Sequence, residues 1–422
     1  MPLAAAFLIL AGLAAGAAIT TTEPSLSQIQ QAQATAVAGT WTSNVKGKAF
    51  DRFYQIWLEN VDYHNAARNP NQKWLASRGI TLTNYYSTGH PSQPNYIAAA
   101  SGDNYGMDND YFNHVPANVS TVADLLNLKG ISWGEYQEHM PYPGFQGVNY
   151  SNQETYANDY MRKHNPLVSF DYISNNDTAL SLIKNFTSFY KDLHNKVLPQ
   201  WAFITPNMTN DGHDTNITYS SKWLRGFVSH LMNNTYFWNN TLLLLTFDET
   251  STSNKADKRN RVFSILLGDA VPSNLTGTND STVYTHYSTI ASVSTNWGLP
   301  SLGRWDCGAN IFKFVADKIG YTNWQVNNRD LYINVSLPGP LSKGHYSGHR
   351  RVWPVPVTDE MCAAGNGVLK AIVDAYGGQT PTYNYSAPFP YDAPYGLNVG
   401  TAYTRNGTTY VSGVNETGAA SF

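Results

Sequence analysis

The stretch Thr241–Phe247 constrains the fold more than any other, because its four consecutive leucines are typical of a buried strand. Similar apolar runs recur at residues 53–58, 81–86, 131–136, 201–204 and 262–267. Helical patterns lie between and after these runs, at residues 97–100, 119–128, 179–193, 223–232, 286–297 and 309–319. Strands that alternate with helices predict an α/β fold, in which a doubly wound, mostly parallel sheet is sandwiched by helices.

Polar side chains come directly after several of the apolar runs, at the points where the strands are expected to end. They are Glu59 and Asn60, the segment 210–214, and Asp248 and Glu249. A fourth run, 81–86, leads to the segment 90–95. Because the carboxyl ends of parallel strands meet at one edge of the sheet, these four groups predict a functional site there.

Ser92 lies between two prolines, just ahead of a small apolar run that reads as a helix. At this position unpaired backbone N–H groups and the helix dipole favour an anion. A serine placed there is suited to attack a phosphorus centre. Serine is also a preferred helix cap, so a capping role in a turn is the alternative.

The strand-end side chains are candidate ligands for a cation. Two adjacent carboxylates repel each other unless a cation or a proton lies between them. The oxygen donors are Glu59, Asn60, Asp248 and Glu249, and His213 and His286 offer nitrogen. The alternatives are a solvated strand end, a loop histidine bonded to neighbouring aspartates, and a histidine at the mouth of a helix.

The chain has two cysteines, Cys307 and Cys362. In an oxidising compartment they predict one disulfide, which would fasten the C-terminal region to the main body. Neither cysteine has a histidine or another cysteine at zinc-ligand spacing, so a metal role for them is not expected.

Several features predict export. Residues 1–17 are small and apolar and have the pattern of a secretory signal peptide. The chain also contains 14 Asn-x-Ser/Thr sequons, a density that favours a secreted protein, extracellular or in the cell wall, with N-linked glycans. We do not expect both Asn207 and Asn216 to carry sugar, because they flank the segment 210–214. A net charge of −3 gives no reason to expect nucleic acid as a partner, and no segment beyond the signal is expected to span a membrane.

The chain divides by composition into a lead-in, a main domain and a tail. Residues 18–50 are expected to be an extended lead-in with one short helix over residues 25–37. Residues 51–320 are expected to form one domain, and residues 321–422 to be an irregular extension packed on it. Within the domain, residues 139–171 are rich in Tyr, Pro and Asn and show little periodicity. They predict a long surface excursion, of the kind that often shapes a binding site.

Four motifs, in this order, resemble the phosphoesterase family of the alkaline phosphatase superfamily. They are Glu59-Asn60 after a strand, Ser92-Gln93-Pro94-Asn95, Asn210-Asp211-Gly212-His213-Asp214 and Phe247-Asp248-Glu249. The family contains fungal secreted, phosphate-repressible acid phosphatases and bacterial phospholipase C-type enzymes. The stretch 299–306 (LPSLGRWD) is similar to the fungal branch in particular. The resemblance covers roughly residues 53–319 and implies the same fold class as the strand pattern.

The resemblance also implies roles for individual residues. Glu59, Asn60, Asp248 and Glu249 would be metal ligands, and Ser92 would be the nucleophile. Asn95 would donate to a phosphoryl oxygen, His213 and Asp214 would face the phosphate or the leaving group, and His286 would be the last site histidine. The two-zinc members have Asp-His where this chain has Asp248-Glu249, so we expect one divalent cation, whose identity the sequence does not determine.

The mechanism expected from these residues is phosphoryl transfer to Ser92, after which water hydrolyses the phosphoserine. His213 or His286 would protonate the leaving group. An imidazolium is available below about pH 6.5, which agrees with an acid optimum.

The predicted function is a secreted acid phosphatase that acts on small phosphomonoesters and scavenges phosphate. One alternative is a phospholipase C-type phosphodiesterase with the same site. Another is a non-enzymatic cell-wall glycoprotein, whose many Tyr and Trp side chains would stack on sugars.

Overall fold

The structure is a computed structural model, and it describes residues 22–251, 259–329, 331–333, 339–342, 352–390, 398 and 400–413. The predicted signal peptide, residues 1–17, lies outside the described residues. The strands are β1 Arg52–Leu58, β2 Ile80–Tyr86, β3 Trp133–Gln137, β4 Asn149–Tyr150, β5 Tyr160–Met161, β6 Ile183–Asn185, β7 Trp201–Thr205, β8 Thr241–Phe247, β9 Arg261–Leu267, β10 Thr278–Thr285, β11 Gln325–Val326, β12 Ala402–Arg405 and β13 Thr408–Val411.

The helices of the described residues flank and connect these strands. They are α1 Leu26–Gln33, α2 Tyr63–Arg68, α3 Pro70–Ala76, α4 Ser92–Ser101, α5 Val122–Asn127, α6 Asp171–Ser174, α7 Asp177–Leu180, α8 Phe186–Asn195, α9 Ile217–Met232, α10 Thr235–Trp238, α11 Tyr287–Trp297, α12 Lys313–Ile319 and α13 Lys370–Tyr376. Short 3₁₀ helices occur at Arg162–His164, Leu167–Ser169 and Ser273–Leu275.

The centre of the molecule is an eight-stranded sheet in the order β10-β2-β9-β8-β1-β7-β3-β6. Strand β9 is antiparallel to both of its neighbours, and all other pairs are parallel. The predicted α/β class with a mostly parallel sheet is therefore confirmed. Because the seven other strands point the same way, their carboxyl ends lie at one edge of the sheet.

The central strands are buried as their sequences predict. Every residue of β8 is buried, and so is every residue of β1 after Arg52. The two strands pair from Arg52 opposite Thr241 to Leu58 opposite Phe247. The polar residues that come after them therefore emerge side by side at the same edge.

The helix predicted over residues 179–193 is wrong as one element. It consists of α7, the edge strand β6 and α8. The side chain of Asn185, at the end of β6, accepts a hydrogen bond from the N–H of Ser188 and caps α8. The sequence does not predict strand β10, because its first half is polar and largely exposed. It pairs with β2 on both sides of a bulge between Asp280 and Val283.

Helix α4 carries the predicted serine and is buried along its whole length. Pro91 precedes it, Ser92 is its first residue, and Gly102 ends it with a φ of +79°. This left-handed conformation is one that glycine adopts without strain. Ser92 thus opens the helix rather than capping it through its side chain.

The C-terminal region packs on the main body. Trp324, Phe389 and Tyr403 form a small apolar cluster with Tyr86 of β2 and Val283 of the edge strand β10. The predicted disulfide between Cys307 and Cys362 is confirmed.

At the other end of the described chain, α1 begins with a capping box. In it, Ser25 and Gln28 satisfy each other's backbone N–H groups. None of the described helices combines the length and the apolar character that crossing a bilayer requires.

Candidate active site

The Ser92 hydroxyl contacts a carboxylate from the neighbouring strand end. Ser92 Oγ donates to Glu59 Oε2 at 3.1 Å. Glu59 comes directly after β1 and is held from the other side by the Tyr96 hydroxyl, which donates to Oε1 at 2.6 Å. All three side chains are buried. The first turn of α4 and the end of β1 therefore fix the serine and the carboxylate in one arrangement.

The ends of β1 and β8 are joined by hydrogen bonds. The N–H of Asn60 donates to Asp248 Oδ1 at 3.2 Å, and the N–H of Asp248 donates to the Leu58 carbonyl at 3.0 Å. The N–H of Val61 donates to the Glu249 carbonyl at 3.3 Å. These bonds hold the four residues predicted as metal ligands within one small region.

The acidic groups of this region repel one another. Burial raises the pKa of Asp248 well above its ordinary value, and the charges of Glu59 and Glu249 raise it further. Burial also raises the pKa of Glu249 to about 7, although the hydrogen bond from His90 acts to lower it. His90 Nδ1 lies 2.7 Å from Glu249 Oε2. A cation or bound protons must offset this concentration of negative charge.

The residues fit a cation. Asn60 Oδ1 and Asp248 Oδ2 are buried oxygen atoms without a hydrogen-bond partner among the described residues. Such atoms are costly unless an ion or another donor satisfies them. Oxygen donors of this kind are those that a hard divalent cation prefers. Glu59, Asn60, Asp248 and Glu249 could therefore hold one ion beside Ser92.

A second group of possible ligands shares Glu59. It consists of Glu59, His164 and Asp211, whose ligand atoms all lie within 4.8 Å of one another. His164 Nε2 is 3.2 Å from Glu59 Oε1, and His164 Nδ1 is 3.6 Å from Asp211 Oδ2. Burial lowers the pKa of His164 well below its ordinary value, so the ring is neutral. A neutral imidazole is the form that binds a metal.

His213 and Asp214 form a hydrogen-bonded pair at the mouth of the site. His213 Nδ1 lies 2.7 Å from Asp214 Oδ1, and His213 Nε2 lies 3.2 Å from Lys163 Nζ. The ammonium can only donate, so Nε2 accepts and Nδ1 carries the hydrogen that is donated to Asp214. The hydrogen bond to Asp214 orients the imidazole ring. His213 is therefore the residue of this pair that can contact a leaving group.

His286 does not have the surroundings of a proton donor. It is fully buried, and its ring stacks on Trp57 with centroids 4.2 Å apart. Nε2 donates to the Asp248 carbonyl at 2.7 Å, and Nδ1 accepts from the Tyr85 hydroxyl at 3.3 Å. Burial lowers the pKa to about 3. His286 is a neutral support for the loop that carries Asp248, which corrects the expectation of a catalytic acid.

The Asn95 side chain bonds mainly to the loop that comes before Ser92. Its Oδ1 accepts from the N–H groups of Thr88 and Gly89 at 2.9 and 3.1 Å, and its Nδ2 donates to the Gly89 carbonyl at 3.0 Å. These contacts hold the loop between β2 and α4. Nδ2 also lies 3.5 Å from Glu249 Oε2, so the amide faces the site as well. That Asn95 donates to a phosphoryl oxygen stays a prediction.

Four site residues were not assigned from the sequence, namely His90, Tyr96, Lys163 and His164. His90 and Tyr96 flank the predicted serine and could have been found by their distance from it along the chain. Lys163 and His164 lie in the excursion 139–171, after the two-residue strand β5, and come after no long apolar run. Their one sequence signal is a basic pair within an aromatic and Asn-rich stretch.

Residues 27–300 match the Phosphoesterase family. An acid phosphatase of Aspergillus fumigatus is 60% identical over 390 residues, which span 92% of this chain and 87% of that protein. A phosphate-repressible acid phosphatase of Penicillium chrysogenum is 53% identical over 400 residues, which span 95% of each. Among solved structures, an alkaline phosphatase superfamily protein from Vibrio parahaemolyticus is 13% identical, with a TM-score of 0.38, over 63% of this chain and 73% of that chain.

Proposed function

The chain belongs to the phosphoesterase family and is a hydrolase of phosphoric ester bonds. We propose that it is a secreted acid phosphatase, which acts on phosphomonoesters through a phosphoserine intermediate. The alternative of a non-enzymatic glycoprotein is wrong. The names of the fungal relatives favour a monoesterase over the phosphodiesterase alternative.

One observation carries the proposed mechanism. A serine hydroxyl at the start of a buried helix donates to a buried carboxylate at 3.1 Å, beside two buried oxygen atoms that lack partners among the described residues. An unreactive capping serine does not need such surroundings. A nucleophile that must lose its proton next to an ion does.

In the proposed reaction, Ser92 Oγ attacks phosphorus as its proton passes toward Glu59 Oε2. The bond from phosphorus to the leaving oxygen breaks, and the imidazolium of His213 gives that oxygen a proton. Asp214 holds the ring from the Nδ1 side, so Nε2 is the nitrogen that exchanges protons, and it gives up the hydrogen bond from Lys163 Nζ when it is protonated. Water then cleaves the phosphoserine and Ser92 regains its proton.

We propose that Glu59, Asn60, Asp248 and Glu249 hold one divalent cation. When bound, the ion would offset the negative charge of phosphate and favour ionisation of the serine hydroxyl. The Tyr96 hydroxyl and His90 keep Glu59 and Glu249 in place. His286 does the same for the Asp248 backbone.

Secretion, glycosylation and phosphate scavenging belong to the same proposal. The signal-like residues 1–17 and the name of the Penicillium relative support secretion and scavenging. Asn207 is buried, and its side-chain oxygen accepts from the N–H groups of Thr209 and Asn210, so we do not expect a glycan there. Asn216 is exposed and remains a candidate.

The test combines metal analysis with two variants. The purified protein should contain a stoichiometric divalent metal. Asp248→Asn should lose most of that metal and the activity, whereas Ser92→Ala should keep the metal and lose about 10³-fold or more in kcat on p-nitrophenyl phosphate. Incorporation of ³²P from labelled substrate at acid quench should be abolished by Ser92→Ala. Unchanged turnover in this variant would exclude the phosphoserine route.

A further inference from the structure

Lys163 lies at the mouth of the site and has no role in the mechanism above. It is the middle residue of the 3₁₀ helix Arg162–His164. Its Nζ donates to Asp110 Oδ2 at 3.1 Å and to His213 Nε2 at 3.2 Å. Only 12% of its side chain is exposed. These two contacts fix the ammonium in place, and its third N–H has no acceptor among the residues that the structure describes.

Lys163 carries a positive charge. The ordinary pKa of a lysine ammonium, about 10.4, is far above the acid range, and its Nζ contacts the Asp110 carboxylate. The site therefore contains a fixed positive charge of its own, supplied by the protein.

Asp110 connects this charge to the nucleophile's helix. Asp110 Oδ1 accepts from the N–H of Gln93 at 2.9 Å, and Gln93 is the residue after Ser92. That N–H would otherwise be available to an anion at the helix N-terminus. Asp110 occupies this N–H, and the Lys163 ammonium contacts the other oxygen of the same carboxylate, where it offers a second donor near the start of α4.

We propose that Lys163 binds a non-bridging phosphoryl oxygen of the substrate and makes the site prefer phosphomonoesters to phosphodiesters. This inference rests on the proposed function. A monoester carries three non-bridging oxygens and up to two negative charges, whereas a diester carries two such oxygens and one charge. An ammonium that is linked through Asp110 to the first turn of α4 therefore gains more from the monoester.

The test compares two substrates in matched variants. Wild type, Lys163→Met and Lys163→Arg are assayed on p-nitrophenyl phosphate and on bis(p-nitrophenyl) phosphate at the same pH. For Lys163→Met, kcat/KM should fall about 10- to 100-fold on the monoester and by a smaller factor on the diester. The ratio of the monoester kcat/KM to the diester kcat/KM should therefore decrease. The inhibition constant of inorganic phosphate should rise in parallel, and Lys163→Arg should restore part of the ratio.

Lys313→Met is the matched control, because Lys313 forms an exposed ion pair with Asp317 on α12. It should leave the ratio unchanged. If Lys163→Met does not fold, Lys163→Gln, which keeps a donor toward Asp110, serves in the same comparison. A neutral variant that folds, retains its metal and has the wild-type ratio would overturn the inference. A wild-type protein inactive on both esters would instead refute the proposed function, before any variant is compared.

Discussion

The histidines near the site have different contact partners, and these partners determine which of them can transfer a proton. His90 contacts Glu249, His164 lies between Glu59 and Asp211, and His286 is buried under the Asp248 backbone. His213 is the one of these four that is paired with a partly exposed carboxylate. An imidazole so placed can exchange a proton with a leaving group.

His213→Ala is therefore expected to lower kcat in a way that depends on the leaving group. On an alkyl phosphate such as glycerol phosphate, the loss should be about 100-fold, because the leaving alkoxide needs a proton. On p-nitrophenyl phosphate the loss should be much smaller, because that leaving group departs unprotonated. The matched control is His194→Ala, whose ring is exposed on α8. Equal losses on both substrates would contradict the assignment.

Among individual site residues, the sequence predicted those at strand ends and missed those in the long excursion. Glu59 and Asp248 come directly after long apolar runs, so the sheet alone brings them together. Lys163 and His164 reach the site through a segment without periodicity, and only tertiary packing brings them there.

Asn95 and His286 show a second limit of the sequence. Both were predicted near the site and both lie there, but their hydrogen-bond partners decide their roles. Those partners are the backbone of the loop before Ser92 and the carbonyl of Asp248. Neither contact has a signature in the local sequence, because each depends on the path of a neighbouring loop.

Among the secondary structure elements, the segment 299–306 supports the far end of α4. The buried Arg304 donates through Nη1 to the carbonyls of Ser101 and Ser120 at 3.1 and 3.0 Å. Asp306 Oδ2 accepts from Ser301 Oγ at 2.7 Å and from the N–H of Leu302 at 2.8 Å. The motif that marked the resemblance to fungal phosphatases thus has a structural role, at the opposite end of the helix from Ser92.

Arg304→Met is expected to lower the free energy of unfolding by about 1–3 kcal/mol, because it leaves the buried carbonyls of Ser101 and Ser120 without their donor. Chemical denaturation checks this. Arg78→Met is the control, since Arg78 stacks on Trp74 in an exposed position and should cost about 1 kcal/mol or less. Equal losses in the two variants would show that the Arg304 contacts do not stabilise the fold.

Across the protein, buried carboxyl groups recur outside the site. Burial raises the pKa of Asp103, Asp124, Glu138 and Asp306. Glu135 in β3 is a pronounced case. Burial raises its pKa to about 8, although a hydrogen bond from the N–H of Leu167 acts to lower it. Each of these groups binds its proton more tightly in the folded chain than in the unfolded chain.

Glu135 makes the stability depend on pH. Below about pH 4.5 the carboxyl is protonated in both the folded and the unfolded chain, so it does not change the free energy of unfolding with pH. Between about pH 4.5 and 8 only the unfolded chain releases the proton, so stability falls by about 1.4 kcal/mol per pH unit. Glu135→Gln should remove this loss and become more stable than wild type as pH rises. Urea unfolding from about pH 4.5 to 7.5 measures it.

The control for that experiment is Glu154→Gln, an exposed position. Its unfolding curve should match the wild type at every pH. Parallel curves for Glu135→Gln and wild type would mean that the buried carboxyl does not set the pH dependence.

The sequence predicts the architecture correctly where an apolar run in the sequence is also a buried strand in the sheet. The buried strands β1, β8 and β9 read directly from their apolar runs, and their alternation with helices indicated the class. The antiparallel insertion of β9 and the place of β10 at the sheet's edge could not be inferred from the sequence. Each depends on which distant strand a segment pairs with, and many pairings satisfy the same apolar pattern.

The strand order also has a consequence for biosynthesis. Both neighbours of β2 come late: β9 begins at Arg261 and β10 at Thr278, whereas β2 ends at Tyr86. On a ribosome that adds roughly 5–20 residues per second, β2 waits about 10–35 s for its first partner. Throughout that interval the nascent chain carries an apolar strand whose edges are unpaired, so this is the stage of synthesis at which aggregation competes most directly with folding.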